Sequence, residues 1–78
     1  MLIKIKFSEG LSDFSYNEKT ALLGLKLERT DSEIFKYTFE TDNVTEAFSS
    51  ITSLGYKNKL MLGNDKVKGK FCIMELSK

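Results

Sequence analysis

The chain of 78 residues contains no histidine, no proline and no tryptophan, and only one cysteine. Histidine is the commonest general acid or base near neutral pH, so its absence argues against most hydrolytic mechanisms. The single Cys72 lies in an apolar run and excludes an internal disulfide framework. We therefore predict no catalytic residues, no metal centre and no cofactor.

The chain also lacks long apolar runs and linker-like segments. Residues Met1 to Phe7 alternate between apolar residues and lysine, unlike the continuous apolar stretch of a signal peptide, and no run has the length of a membrane span. We expect a single domain over residues 1–78, located in the cytoplasm and not in a membrane.

Two helices are predicted from capping patterns and apolar spacing. Ser15 and Glu18 have the spacing of a capping box, and Gly24 is placed to end a short first helix, although the residues just before Ser15 are compatible with a loop. Asn43 begins a second helix with an apolar stripe, and Gly55 ends it.

The strands are predicted from apolar and polar residues that alternate with period two. Leu2 to Phe7 forms strand one. Leu25 to Glu28 and Phe35 to Glu40 form strands two and three, a hairpin with a turn at Thr30 to Ser32.

Strands four and five are predicted as a second hairpin around the turn-rich segment Gly63 to Lys66. Its register pairs Leu62 with Val67 and places Lys59 opposite Lys70, a like-charge pair that destabilises slightly. Strand five should end, or bulge, near Met74, because Glu75 would otherwise point inward. The predicted inward residues of this hairpin are Leu60, Leu62, Val67, Phe71 and Ile73.

These elements predict an α+β fold, a single antiparallel sheet of about five strands with two helices on one face. The order βαββαβ plus a C-terminal strand resembles the ferredoxin-like arrangement over almost the whole chain. The triplet Phe35, Tyr37 and Phe39 invites comparison with the RNA-recognition motif, whose exposed aromatics stack on bases. Exposing this triplet would turn Lys36 and Glu40 toward the helices, so we place all three aromatics in the core.

Lysine is the most informative residue type. Although the formal net charge is only +1, eight of the eleven lysines fall on predicted strands at the parity opposite to the apolar residues. The same parity carries two acids, Glu28 and Glu40. These lysines are Lys4, Lys6, Lys26, Lys36, Lys59, Lys66, Lys68 and Lys70. A solvated sheet face that resists aggregation and a binding face explain this pattern about equally well.

Cys72 has two interpretations. With Lys57 across from it, its thiol is a candidate nucleophile, but a small apolar residue or an inert thiol is the favoured interpretation.

We expect a small non-enzymatic protein of the regulatory or inhibitor type that docks on a macromolecule through a lysine-rich sheet face. Short lysine-containing chains of this kind are frequent among phage inhibitors. The predicted contact residues are Lys4, Lys6, Lys57, Lys59, Met61, Lys66, Lys68, Lys70 and Met74. The partner is an acidic protein surface; the alternative is RNA, bound through its phosphates by the same lysines. An enzyme is the third hypothesis. The apolar edge of strand five also suggests a homodimer.

Overall fold

The computed structural model describes residues 1–67 and 69–78, which form a five-stranded mixed sheet with short helical segments. The elements are, in chain order, β1 (Leu2–Phe7), α1 (Tyr16–Ala21), a 3-10 turn (Leu23–Leu25), β2 (Glu28–Arg29), β3 (Tyr37–Glu40), α2 (Val44–Thr52), β4 (Lys57–Asp65) and β5 (Gly69–Ser77). No helix within these residues is both long and apolar enough to cross a membrane.

The sheet is not the predicted antiparallel one. Its strand order is β2-β3-β1-β5-β4, and β5 runs parallel to β1 while the other neighbours are antiparallel. The fifth strand thus lies inside the sheet, between β1 and β4, and the fold is not a ferredoxin-like antiparallel sheet. The prediction that strand five has a free edge is also wrong, because β4 is the edge strand on that side of the sheet.

The prediction of two helices packed on one face is wrong as well. The capping box of Ser15 and Glu18 is present, but α1 has only six residues and buries none of them. The helix ends at Ala21, and the 3-10 turn that contains Gly24 begins two residues later. Gly24 therefore does not end the helix. Among the helical segments in residues 1–67 and 69–78, α2 alone contains buried side chains.

The second helix agrees with the sequence prediction. The side chain of Asn43 accepts a hydrogen bond from the backbone N–H of Glu46, and Ala47 and Ile51 are buried. Gly55 follows the helix with a φ of 98°, in the left-handed region where glycine is favoured.

The predicted second strand is mostly absent. Leu25 belongs to the 3-10 turn, and Lys26 has a φ of 55°, which breaks the extended backbone. Only Glu28 and Arg29 pair with β3. Alternation over four residues was therefore a poor guide here, because a turn can produce the same pattern.

The register of the second hairpin differs from the prediction. Asp65 pairs with Gly69, and Lys59 pairs with Glu75 instead of Lys70. Leu62 and Val67, predicted to be an inward pair, are 80% and 91% exposed.

The parity of β5 is inverted relative to the prediction. Cys72, Met74 and Leu76 are buried, whereas Phe71 and Ile73 lie on the other face. The strand continues to Ser77, so it does not end near Met74. The reason is the pairing of β5 with β1. Ile3 pairs with Cys72 and Ile5 pairs with Met74, so the even-numbered side chains of β5 lie beside the buried isoleucines of β1.

The core lies between the sheet and α2 with its neighbouring loops. Its buried hydrophobic residues are Ile3, Ile5, Phe14, Leu22, Tyr37, Phe39, Ala47, Ile51, Tyr56, Cys72, Met74 and Leu76. The core prediction for Tyr37 and Phe39 is confirmed. It is wrong for Phe35, which precedes β3 and contacts Lys4 instead.

Candidate binding face

The sheet presents one face to α2 and leaves the other uncovered by helices, and we call the second one the open face. Because strand residues alternate between faces, the pairings fix its membership on the adjacent strands β1, β5 and β4. It consists there of Leu2, Lys4, Lys6, Phe71, Ile73, Glu75, Ser77, Lys57, Lys59, Met61, Gly63 and Asp65.

Five of the nine predicted contact residues lie together on this face. They are Lys4, Lys6, Lys57, Lys59 and Met61. Three of the other four do not join them, and the fourth, Lys68, lies outside the described residues.

The three separated residues have different positions. Met74 is fully buried in the core, because the parity of β5 is inverted. Lys70 pairs with Asn64 on the face that carries Leu62, and Lys66 lies in the hairpin loop. The predicted contact lysines of the hairpin thus do not share one face, because Lys57 and Lys59 lie on the open face and Lys70 lies on the other.

A charged row crosses the open face at one end. Lys6 of β1 and Lys59 of β4 both pair with Glu75 of β5, which lies between them. The Lys6 Nζ to Glu75 Oε2 distance is 3.6 Å. The carboxylate offsets part of the lysine charge, so the face is less uniformly basic than the sequence predicted.

An aromatic and cationic cluster occupies the other end. The ammonium of Lys4 lies 4.3 Å from the ring centroid of Phe71 and 5.3 Å from that of Phe35. A cation above a ring face is attracted by the electron density of the ring. The two rings therefore help to hold the Lys4 side chain in place.

Gly63 makes room for this cluster. A Cβ atom built on Gly63 would lie 2.3 Å from Cζ of Phe71, closer than real Cβ contacts occur. The ring of Phe71 thus leans over the strand backbone at Gly63, its partner across the pair. Glycine is required at position 63 because a larger side chain would collide with the Phe71 ring. The backbone angles of Gly63 do not themselves require glycine.

A shallow depression of about 320 Å³ adjoins the cluster. Its lining includes Leu2, Lys4, Phe35 and Asp65 together with Thr30, Ser32 and Thr38. It combines apolar walls with one cationic and one anionic side chain. Such a depression can accept an apolar side chain of a partner.

Sequence reasoning missed Leu2, Phe35, Phe71, Ile73 and Glu75 as members of this face. The missing information was the phase of β5. The charge of Glu75 could have supplied it, because an ionised glutamate in the middle of a strand belongs on the solvated face. Placing Glu75 outward puts Phe71 and Ile73 outward too.

The strongest electrostatic cluster lies on the other side of the sheet. Asp13 accepts hydrogen bonds from the Tyr37 hydroxyl and the Phe14 backbone, and Arg29 and Lys19 lie 3.1 and 3.3 Å from it. Burial opposes ionisation of Asp13, but these donors outweigh it and keep its pKa below the ordinary value. Burial, followed by the Asp13 carboxylate, raises the pKa of Tyr37.

A second cluster fixes α1 to the sheet. The Tyr56 hydroxyl donates to Glu18 Oε1 at 2.6 Å, and Lys78 Nζ lies 3.4 Å from Glu18 Oε2. The hydrogen bonds from Tyr56 and from the Ser15 backbone lower the pKa of Glu18. Burial raises the pKa of Tyr56 further from neutrality. These groups stabilise each other's resting ionisation states, which suits a structural role.

Cys72 and the carboxylates give no support to a reactive centre. Burial raises the pKa of the Cys72 thiol, which disfavours the nucleophilic thiolate, and Lys57 pairs with Ser77 and not with Cys72. Over residues 1–67 and 69–78, no group of three or more Cys, Asp or Glu side chains is placed to hold a metal ion.

In comparisons with protein families, curated proteins and solved structures, nothing matches this chain. A functional conclusion therefore depends on the geometry of the open face.

Proposed function

We propose that the protein is a non-enzymatic binding protein whose open face docks on an acidic protein surface. The observation that supports this best is the combination of four lysines with a half-buried apolar strip on one flat sheet face. The strip runs across three strands as Leu2, Phe71, Ile73 and Met61.

The arrangement has the anatomy of a protein interface. Such interfaces have an apolar centre and a polar rim, and aromatic residues and methionine are enriched in the centre. Here Ile73 and Met61 are direct neighbours across the β4–β5 pair, and Lys59 and Lys6 lie one row away. A partner that matches this face has apolar side chains in the middle and carboxylates around them.

The net charge of the open face determines the charge expected of the partner surface. On β1, β5 and β4 the open face carries Lys4, Lys6, Lys57 and Lys59 against two acids, Glu75 and Asp65. Lys57 pairs with Ser77, so its pairing partner carries no charge. Rim lysines of this kind attract an acidic partner and accelerate its association more than they add affinity.

Single-stranded RNA is the second candidate. Phe35 and Phe71 lie on the open face beside Lys4, so the aromatics that stacking requires are present in this structure. Against stacking, the ammonium of Lys4 covers the Phe71 ring, and the tip of that ring rests on Gly63. Glu75 would also repel phosphates in the middle of the charged row.

Binding of a defined probe to two double variants tests the proposal. The probe is a fluorescent peptide of glutamates interspersed with leucine and phenylalanine, and anisotropy gives its affinity. Lys57→Gln with Lys59→Gln removes two charges from the open face and should weaken binding on the order of tenfold. Lys66→Gln with Lys70→Gln removes two charges from the same hairpin but from its loop and other face, and should leave binding unchanged.

Two outcomes contradict the proposal. One is equal weakening by both double variants, which indicates nonspecific attraction to the whole charge. The other is a uridine oligonucleotide that binds more tightly than the peptide at the same salt concentration and loses affinity with Lys57→Gln and Lys59→Gln, which selects the RNA alternative.

A further inference from the structure

The free edge of β4 carries information that the open face does not use. β4 is a nine-residue edge strand, and its backbone pairs with β5 on one side only. Such an edge can pair with another strand, and natural proteins commonly shorten, cover or interrupt it, or place charged side chains on it as Lys57 and Lys59 are placed here. Here no proline interrupts β4 and its full length pairs with β5.

Two exposed leucines lie on this strand. Leu60 is 43% exposed and Leu62 is 80% exposed, on the face opposite the lysines. Exposed leucines that alternate along an edge strand are unfavourable in water unless another surface covers them. Neither leucine belongs to the core cluster of the molecule.

We infer that a second copy of the chain covers this edge, with β4 pairing antiparallel to β4 about a two-fold axis at Met61. Met61 is the midpoint of Lys57–Asp65, so this register pairs all nine residues. Leu60 then lies opposite Leu62 of the second copy, and the reverse pair follows from the symmetry. Both exposed leucines of each chain are covered at once.

The charges agree with the same register. Lys57 lies opposite Asp65 of the second copy, and Lys59 lies opposite Gly63, so no lysine is placed directly against another lysine. Opposite charges across an antiparallel pair stabilise it, and like charges destabilise it. The strand is thus complementary to itself, which identifies a second copy as the occupant in preference to an unrelated extended segment.

The dimer has a ten-stranded continuous sheet. Because the two-fold axis is perpendicular to the sheet at Met61, both open faces lie on one side and both copies of α2 on the other. The dimer therefore carries two copies of the proposed docking face. An acidic partner with two binding sites would bind the dimer more tightly than a single copy, because the second contact becomes intramolecular. The dimer does not depend on that function, because it is formed by the backbone of β4 and by Leu60 and Leu62, which lie outside the open face; Lys57, Met61 and Asp65 belong to both surfaces.

Disulfide trapping tests the register. Met61→Cys places two thiols opposite each other across the axis, within the Cα separation of roughly 4.4 to 6.8 Å that a disulfide needs. Diamide should convert this variant to a covalent dimer. Lys59→Cys lies on the same face but more than about 13 Å from its symmetry mate, and should not cross-link. The wild type, with only the buried Cys72, is the background control.

Sedimentation equilibrium tests the dimer without cross-linking. The wild type should sediment as a dimer at micromolar to millimolar concentrations, and Leu62→Lys should raise the dissociation constant at least about tenfold. Val67→Lys is the matched control, an equally exposed residue beyond the nine paired positions, and should leave it unchanged. Circular dichroism verifies that both variants fold.

A wild type that is monomeric over this whole range overturns the inference. So does a dimer that is unaffected by Leu62→Lys, or one that Lys59→Cys traps more efficiently than Met61→Cys. Peptide binding by the open face is measured separately, so none of these three results contradicts the proposed function.

Discussion

The ring of Phe71 lies over the backbone of Gly63, so close that a Cβ atom at Gly63 would be 2.3 Å from the ring. The two residues are direct partners across the β4–β5 pair. An aromatic ring that covers a glycine on a neighbouring strand shields the backbone and fixes the cross-strand geometry. This contact positions the Lys4 cluster and one end of the open face.

Gly63→Ala should therefore lower the free energy of unfolding by about 1 to 3 kcal/mol, because the added methyl group forces the Phe71 ring to move. Urea denaturation measures the loss. The control is Gly24→Ala, where a Cβ atom meets nothing within 4 Å and stability should be unchanged or slightly higher. Equal stability of the two variants would show that the ring moves without cost.

The contact between Lys4 and Phe71 should appear as a coupling energy. In a double-mutant cycle with Lys4→Met and Phe71→Leu, we expect about 0.5 to 1 kcal/mol of coupling, as for other solvent-accessible cation–π pairs. The cycle of Lys4→Met with Phe35→Leu should give less, because the Lys4 to Phe35 distance is 5.3 Å instead of 4.3 Å. The reverse order of the two couplings would contradict this geometry.

Tyr56→Phe should destabilise the protein by about 1 to 2 kcal/mol, because it removes a hydrogen bond to an ionised carboxylate and leaves Glu18 with one fewer donor. Tyr16→Phe removes the same hydroxyl group from a residue that is 83% exposed and should have little effect. Thermal unfolding of both variants provides the comparison. Similar midpoints for Tyr56→Phe and the wild type would exclude this anchor for α1.

Stability should fall in acid. Hydrogen bonds keep the pKa values of Asp13 and Glu18 in the folded protein below their ordinary values of 3.8 and 4.5. Their stabilising contribution is therefore complete above those values and is lost as pH falls through the lower folded pKa values. Urea midpoints between neutral pH and strong acid should show this loss, and Asp13→Asn should reduce its slope. An unchanged slope in Asp13→Asn would assign the acid sensitivity elsewhere.

The sequence was informative where a local pattern had only one structural solution. The cap at Asn43 and the apolar stripe after it predicted α2 correctly, and alternation predicted β1. Both depend on neighbours within a few residues. The capping box at Ser15 was also correct, but it could not show how soon the helix would end.

The sequence failed where the choice depended on distant strands. From Phe71 to Leu76 every residue except Glu75 is apolar, so alternation cannot determine which face is buried. The charge of Glu75 is the one local signal for that choice, and the choice itself follows from the parallel pairing of β5 with β1, which the local pattern does not encode. Because the predicted phase was wrong, Met74 was assigned to the binding face although it is buried. For the same reason Phe71 and Ile73 were assigned to the core although they lie on the open face.

The measurement that tests the central claim most directly is amide chemical-shift mapping of the ¹⁵N-labelled protein during titration with the acidic, apolar peptide. We predict shifts concentrated at Lys4, Lys6, Lys59, Met61 and Ile73, with α2 unaffected, and smaller shifts at the same peptide concentration in Lys57→Gln with Lys59→Gln. Shifts that concentrate on α2 or around Asp13, with the open face unchanged, would contradict the assignment of the open face as the docking surface.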